Sequence, residues 1–254
     1  MLHEISRYWT SGASGYNKVV QAQFRSQRTV QRWKALLQEG LSDHKPQRIL
    51  DAGTGPGFFS LLLAEMGHHP TAVDASSGMV DTAARNFKAA GLDIQVYEGD
   101  AAHLEREEDE SYDAVVSRDV VWTLPDPARA YGEWLRVLRP GGRLLLFDGN
   151  YLYQKQRGLR YLLRRAMAWT LILLTERRIS TREGRDERAL ERLPFVQAAR
   201  PEADIEALEQ AGFTIDIVRT DYFPGYKQSL QYWKYGYQTD VRFMIVARKA
   251  SQHR

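Results

Sequence analysis

The chain has 254 residues, 43% of them hydrophobic and 26% charged, with a net charge of +3; this suits one large α/β domain, or one domain and an appendage. It has no cysteine, which excludes disulfides, zinc–thiolate sites, iron–sulfur clusters and a cysteine nucleophile. The opening MLHEISRYWTSGASGY lacks the basic start and apolar stretch of a secretory signal, and the longest apolar run, 166–174, is far shorter than the roughly 20 residues of a membrane span, so the sequence reads as soluble and cytoplasmic.

In chain order, residues 16–39 have the pattern of a long helix. Strand-like runs follow at RILDA (48–52), PTAVDA (70–75), DIQVYE (93–98), YDAVVS (112–117) and RLLLFD (143–148). Helix-length stretches at 57–67, 78–90 and 127–138 separate most of them, and RPGG (139–142) marks a helix stop before the fifth strand. Regular alternation of strand and helix predicts a parallel sheet with crossover helices. Residues 151–200 break the alternation and are predicted as two helices inserted after the fifth strand. A helix at 202–211 and strands at 213–220 and 241–249 complete the chain. The expected organisation is one domain: a helical cap (1–45), a binding core (46–150), a helical lid (151–200) and a C-terminal helix with two strands (201–254).

The loop after the first strand carries Gly53, Gly55 and Gly57. A dinucleotide fingerprint needs G-x-G-x-x-G and a triphosphate loop needs Lys then Ser or Thr; Phe58 and Phe59 stand where those residues belong. Asp51, at the end of the first strand, sets a negative charge beside the loop. That disfavours a pyrophosphate and favours a ligand with an ammonium or sulfonium group. Asp74 ends the second strand, where a carboxylate can accept both hydroxyls of a ribose. A ribose joined to a cationic amino-acid portion describes S-adenosylmethionine.

With these residues in view, the chain resembles the class I S-adenosylmethionine-dependent methyltransferases, of the small-molecule type similar to quinone-biosynthesis methyltransferases. ILDAGTGPGFFS, AVDASSGMVDTA, YEGDAAHL, YDAVVSRDVVWTL and WLRVLRPGGRLLLFD resemble its five motifs in order. The resemblance implies a Rossmann-like α/β fold, with a seven-stranded, mostly parallel sheet and an antiparallel last strand. It implies that Asp51, Gly53, Thr54, Gly55 and Gly57 line the cofactor. Asp74 would hold the ribose, with Ala75, Ser76 and Met79 beside the adenine. Gly99, Asp100 and Ala101 would form the adenine edge, Asp100 accepting from its amino group, and Ser117 would stand at the cofactor's rim. The segment with Tyr8, Trp9 and Tyr16 would fold over the methionine end.

Methyl transfer is a displacement in which alignment supplies most of the rate, and a base is needed only if the acceptor must lose a proton. Candidates for that role are Asp119, Asp148 and Tyr16. Acceptor contacts are expected at the carboxyl ends of the fourth and fifth strands: Arg118, Trp122, Asn150, Tyr151 and Tyr153. Trp122 serves either as a flat wall for a ring or as core. Asp119, Asp148 and Asn150 resemble a magnesium-holding trio, but Gly149 spoils the spacing, so no metal is expected; His68 and His69 sit in a turn without ligand spacing. Residues 155–192 hold eleven basic and five acidic residues, a local +6. This segment reads as a lid, with Leu159, Leu162, Leu163, Ala166 and Met167 facing the pocket and Arg164 and Arg165 facing water or an anionic substrate. Its competing reading is a nucleic-acid or membrane-surface helix. The expected partner is a small, ring-containing metabolite. The alternatives are an RNA methyltransferase and a non-catalytic cofactor-binding scaffold.

Overall fold

The computed structural model describes residues 1–41, 43, 45–151, 159–176, 190, 192–220, 222, 230–235 and 239–251. Strands β1 (Arg48–Ala52), β2 (His69–Asp74), β3 (Gln95–Glu98), β4 (Tyr112–Arg118), β5 (Leu138–Tyr151), β6 (Phe213–Arg219) and β7 (Thr239–Lys249) form one sheet. Their order is β3-β2-β1-β4-β5-β7-β6. The strands from β3 to β5 pair in parallel. β7 inserts between β5 and β6 and runs antiparallel to both. The order reverses between β1 and β4, and the crevice outside their carboxyl ends is where an open α/β sheet places a ligand.

Helices α1 (Leu2–Phe24) and α2 (Gln27–Leu41) precede the sheet, where one helix over 16–39 is expected. The break is a capping event. The Ser26 hydroxyl accepts from the Thr29 amide at 3.3 Å and restarts the helix. Helix α1 extends back over residues read as an entry segment. The RPGG stretch also differs from expectation: β5 begins at Leu138 and passes through it. Tyr112 pairs with Leu138 and Ala114 with Arg143, so the extra residues form a bulge inside the strand.

Helices α3 (Phe58–Glu65), α4 (Ser77–Ala89), α5 (Pro127–Val137), α6 (Leu159–Glu176), α7 (Pro194–Gln197), α8 (Glu202–Ala211) and α9 (Leu230–Tyr235), with a short 3-10 helix at Val121–Thr123, complete the described elements. Alternating residues feed two cores, as a sheet covered on both faces requires. One core joins Leu144, Leu146, Phe243 and Ile245 to Tyr131 and Trp134 of α5 and Leu208 of α8. The other joins Leu145, Phe147, Met244 and Val246 to Trp33 of α2 and Phe58 and Phe59 of α3.

Among the described residues no helix is long and apolar enough to cross a membrane. Within the expected lid only α6 and part of the stretch after it are described. The apolar stripe expected to face the pocket does not. Leu159, Leu162, Leu163, Ala166 and Met167 are exposed, and among the described side chains of α6 those that are buried are Ala168 and Ile172. Neighbouring α9 packs against this helix. A narrow line of small and branched residues therefore seats α6, and the wider leucine face is left outside.

Candidate cofactor and acceptor site

The loop between β1 and α3 is shaped by three left-handed glycines, Gly53, Gly55 and Gly57. Two of them are demanded by packing. A Cβ on Gly53 would lie 2.3 Å from Val120, and one on Gly57 would lie 2.3 Å from Phe87. Gly55 differs, because its nearest neighbour would be the Tyr16 ring at 3.6 Å. It therefore presents bare backbone to the crevice. Asp51 staples the loop from beneath: one carboxylate oxygen accepts the Thr54 hydroxyl at 2.7 Å, the Ser60 amide at 3.0 Å and the Ser60 hydroxyl at 2.6 Å. Burial pushes its pKa up, opposed by those donors. Ser60 was not foreseen as a site residue; it stands in an apolar run, FFSLLL, that reads as plain helix.

Asp74 sits at the end of β2 across from that loop. Its two oxygens accept the Gly55 amide at 2.8 Å and the Ser76 amide at 2.9 Å. Burial raises its pKa to about 6, with the nearby Asp51 and Glu98 charges adding to the rise. This is a pre-aimed acceptor with lone pairs to spare and strong demand for further donors, such as a pair of hydroxyls. Ser76 caps α4 through the Met79 amide at 3.2 Å, and Met79 itself is buried. Ala75 is half-buried between Asp74 and this cap. Gly99 donates its amide to the Asp74 carbonyl at 3.0 Å, which brings the β3 end beside β2. Asp100 uses one oxygen for the Ala102 amide at 2.9 Å, and the Ala101 carbonyl holds the Trp134 indole at 2.9 Å. These residues are brought together along one wall.

Helix α1 covers the opening. Thr10 Oγ1 lies 2.9 Å from Ser76 Oγ, and Asn86 donates to both Asn17 and the Pro56 carbonyl, at 2.9 and 2.8 Å. Beneath it, Tyr16, Asp51, Gly53, Gly55 and Arg118 line a cavity of about 30 Å³, room for one or two waters.

The side of the crevice where acceptor contacts are expected is aromatic. Trp122 stacks on Tyr151 with centroids 4.9 Å apart, and Trp9 meets both Trp122 and Tyr16 edge-on at 6.2 and 6.1 Å. Asp119 stands among these rings with φ at 59°, an uncommon backbone for a residue other than glycine. It is over-determined: its amide donates to Phe147, its carbonyl accepts the Trp122 indole at 3.0 Å, and its carboxylate accepts the Tyr151 hydroxyl at 2.5 Å. Burial raises the Tyr16 pKa, and the Asp119 charge adds to the rise. Tyr151 is likewise held well above an ordinary phenol, burial first, with Arg242 opposing.

Several expectations change. Asp148 is fully buried and paired with Arg200 at 3.1 Å, and it accepts the Trp122 amide at 3.3 Å. Burial lifts its pKa to about 6 against the pull of Arg200. A carboxylate sealed in this way braces the site and does not reach an acceptor. The Asn150 amide donates to the Arg200 carbonyl at 2.9 Å, so Asp148 and Asn150 are both engaged by Arg200 while Asp119 takes the Tyr151 hydroxyl. Among the described residues no group of three acidic or histidine side chains could hold a metal ion. The buried Ser117 hydroxyl is spent on the Ala52 carbonyl at 2.9 Å, a brace between β4 and β1. Arg118 lies over the Trp33 and Phe58 rings at 4.8 and 4.9 Å and reaches Asp119 at 3.3 Å. It braces Asp119 while still lining the cavity beneath α1. Trp122 is buried in a cluster with Leu193 and Val196, as its core reading expects, and sets its ring against Tyr151. Tyr153 lies outside the described residues. Arg164 sits half-buried on α6. Arg200 was missed; its only local sign is Asp204 four residues on, which it meets at 2.6 Å.

A family model described as a methyltransferase domain matches residues 50–146, the segment that builds this crevice. The demethylmenaquinone methyltransferase of Clavibacter sepedonicus is 34% identical over 119 residues, covering 46% of this chain and 47% of that protein. The ubiquinone biosynthesis O-methyltransferase of Maricaulis maris is 31% identical over 109 residues, covering 42% and 43%. The chain thus spans about half the length of the curated relatives it matches. Among solved structures, the [4+2]-cyclase SpnF aligns with a TM-score of 0.58 at 22% identity, over 89% of this chain and 82% of that one. A SAM-dependent methyltransferase from Aquifex aeolicus aligns with a TM-score of 0.54 at 18% identity, over 84% and 87%; these two likenesses speak for the fold. Over this domain, and on the sheet that carries it, the chain is similar to the class I S-adenosylmethionine-dependent methyltransferases.

Proposed function

We propose that this chain transfers a methyl group from S-adenosylmethionine to a small, ring-containing metabolite. The observation that carries the reading is the pairing of Asp74 with Gly55: a half-buried carboxylate held 2.8 Å from the amide of a glycine that keeps its face to the crevice. Asp74 would take the ribose hydroxyls, Asp51 the amino group, and Asp100 with Ala101 the adenine edge. The cofactor, when bound, supplies an electrophilic methyl on sulfur. Trp9, Tyr16, Trp122 and Tyr151 offer ring faces and edges that orient a flat acceptor and keep water away. Where the acceptor must lose a proton, Tyr151 and Asp119 are placed to take it: the acceptor proton passes to the phenol oxygen as the phenol proton passes to the carboxylate. The matched quinone-biosynthesis enzymes support a ring-bearing acceptor.

The fold alone leaves the reaction open, because SpnF carries a cyclase on it. Incubation with methyl-labelled S-adenosylmethionine and a metabolite extract separates these outcomes. The expected result is label in a product heavier than its precursor by one methyl in place of one hydrogen. Cofactor binding with no label in any product would overturn methyl transfer.

A further inference from the structure

We infer that the outer face of α6 docks this protein on an anionic lipid surface. Leu159, Leu162, Leu163, Ala166, Met167, Trp169, Leu173 and Leu174 are all exposed, Leu163 at 62% and Leu174 at 72%. At 100° per residue these positions cover an arc of about 160° of the helix. Leu230 and Trp233 of the neighbouring α9 are exposed as well, which widens the apolar surface beyond one helix. A patch of this kind on a folded chain marks a binding face.

Charge selects the occupant. Arg164 and Arg165 are half-buried and fall on opposite sides of the arc, and Arg165 lies over the Trp169 ring at 4.5 Å. From 155 to 175 the sequence holds five basic residues and no acidic one. A second copy docked about a twofold axis would set this cationic rim against itself. A nucleic acid would meet the arginines but leave the leucines in water, since such interfaces are polar. An anionic bilayer satisfies both: leucines and tryptophan enter the acyl boundary while arginines stay at the headgroups.

The test is flotation of the full chain with vesicles of phosphatidylglycerol and phosphatidylcholine, against vesicles of phosphatidylcholine alone. The expected result is association with the first and at least roughly tenfold less with the second. The double variant Leu163→Asp, Leu173→Asp should lose association while keeping its thermal midpoint and its affinity for S-adenosylmethionine, because both side chains already face solvent. Equal association by this variant, or no association with either vesicle, overturns the inference. Light scattering covers the competing occupant: a dimer that the variant dissolves assigns the face to a second copy and also overturns it. So does retardation of RNA that the variant abolishes. These readouts are independent of whether methyl transfer is observed.

Discussion

At the scale of single residues, the ribose-binding role proposed for Asp74 would link cofactor binding to protons. Burial holds its pKa near about 6 in the free protein, and hydroxyl donors on its oxygens favour the ionised form, so ligand lowers that pKa. Binding near pH 6 should therefore expel a proton, and affinity should fall as pH drops through about 6. Calorimetry in buffers of different ionisation enthalpy checks this. Asp74→Asn should lose both the proton release and at least about tenfold in affinity, since a charge-assisted hydrogen bond is worth about 1.5–3 kcal/mol; unchanged release would take Asp74 off the ribose. Asp119 belongs to the other half of the site. For an acceptor that loses a proton, Asp119→Asn should lower kcat about 100-fold or more and leave the affinity for S-adenosylmethionine unchanged. A variant with full kcat would show that the Tyr151–Asp119 pair only shapes the pocket. Asparagine suits this test because it tolerates the left-handed backbone that Asp119 adopts.

At the scale of elements, α1 is the helix that stands over the glycine loop. It lies over Gly55 and is tied to α4 by the contact of Thr10 with Ser76. The two hydroxyl oxygens are 2.9 Å apart, near enough for cysteine sulfurs at those positions to bond, and the chain has no other cysteine to compete. The double variant Thr10→Cys, Ser76→Cys should bind S-adenosylmethionine when reduced and lose most of its association rate when oxidised. Stopped-flow binding before and after reductant measures this. Equal rates in the two states would mean that the cofactor enters without movement of α1. The loop beneath obeys a different constraint. Gly57→Ala would place a methyl 2.3 Å from the Phe87 ring on a backbone with φ of 90°, and strain of that kind costs on the order of 1–3 kcal/mol whether or not ligand is present.

At the scale of the whole molecule, Arg200 couples the C-terminal part of the chain to the sheet. It is 2% exposed and bridges Asp148 of β5 and Asp204 of α8, with the Tyr131 hydroxyl also donating to Asp204 at 2.7 Å. Removing the cation leaves two buried carboxylates without it. Arg200→Met should destabilise the fold by about 3–5 kcal/mol, read from a urea midpoint. The deficit should shrink as pH falls toward 5, because Asp148, already raised to about 6 beside Arg200, then takes up a proton in place of its partner. A deficit that does not change with pH would attribute the loss to packing over Phe195 and Phe243 alone.

What the sequence determined is local or periodic. Alternating strands and helices define the α/β class, and the spacing of Gly53, Gly55 and Gly57 with Asp51 and Asp74 points to the cofactor crevice, because the carboxyl ends of neighbouring strands meet there by construction. The tertiary structure decided what each polar side chain faces. Asp119 and Asp148 look alike in sequence at the ends of adjacent strands, yet Asp119 is aimed at Tyr151 and Asp148 is sealed by Arg200, a residue more than 50 positions away whose arrival no short-range pattern announces. Ser117 is turned into a brace by Ala52 on the strand beside it. The leucine stripe of α6 has helical spacing in either orientation; spacing shows that a helix has an apolar face, and only the neighbours it packs against, through Ala168 and Ile172, decide whether that face is covered.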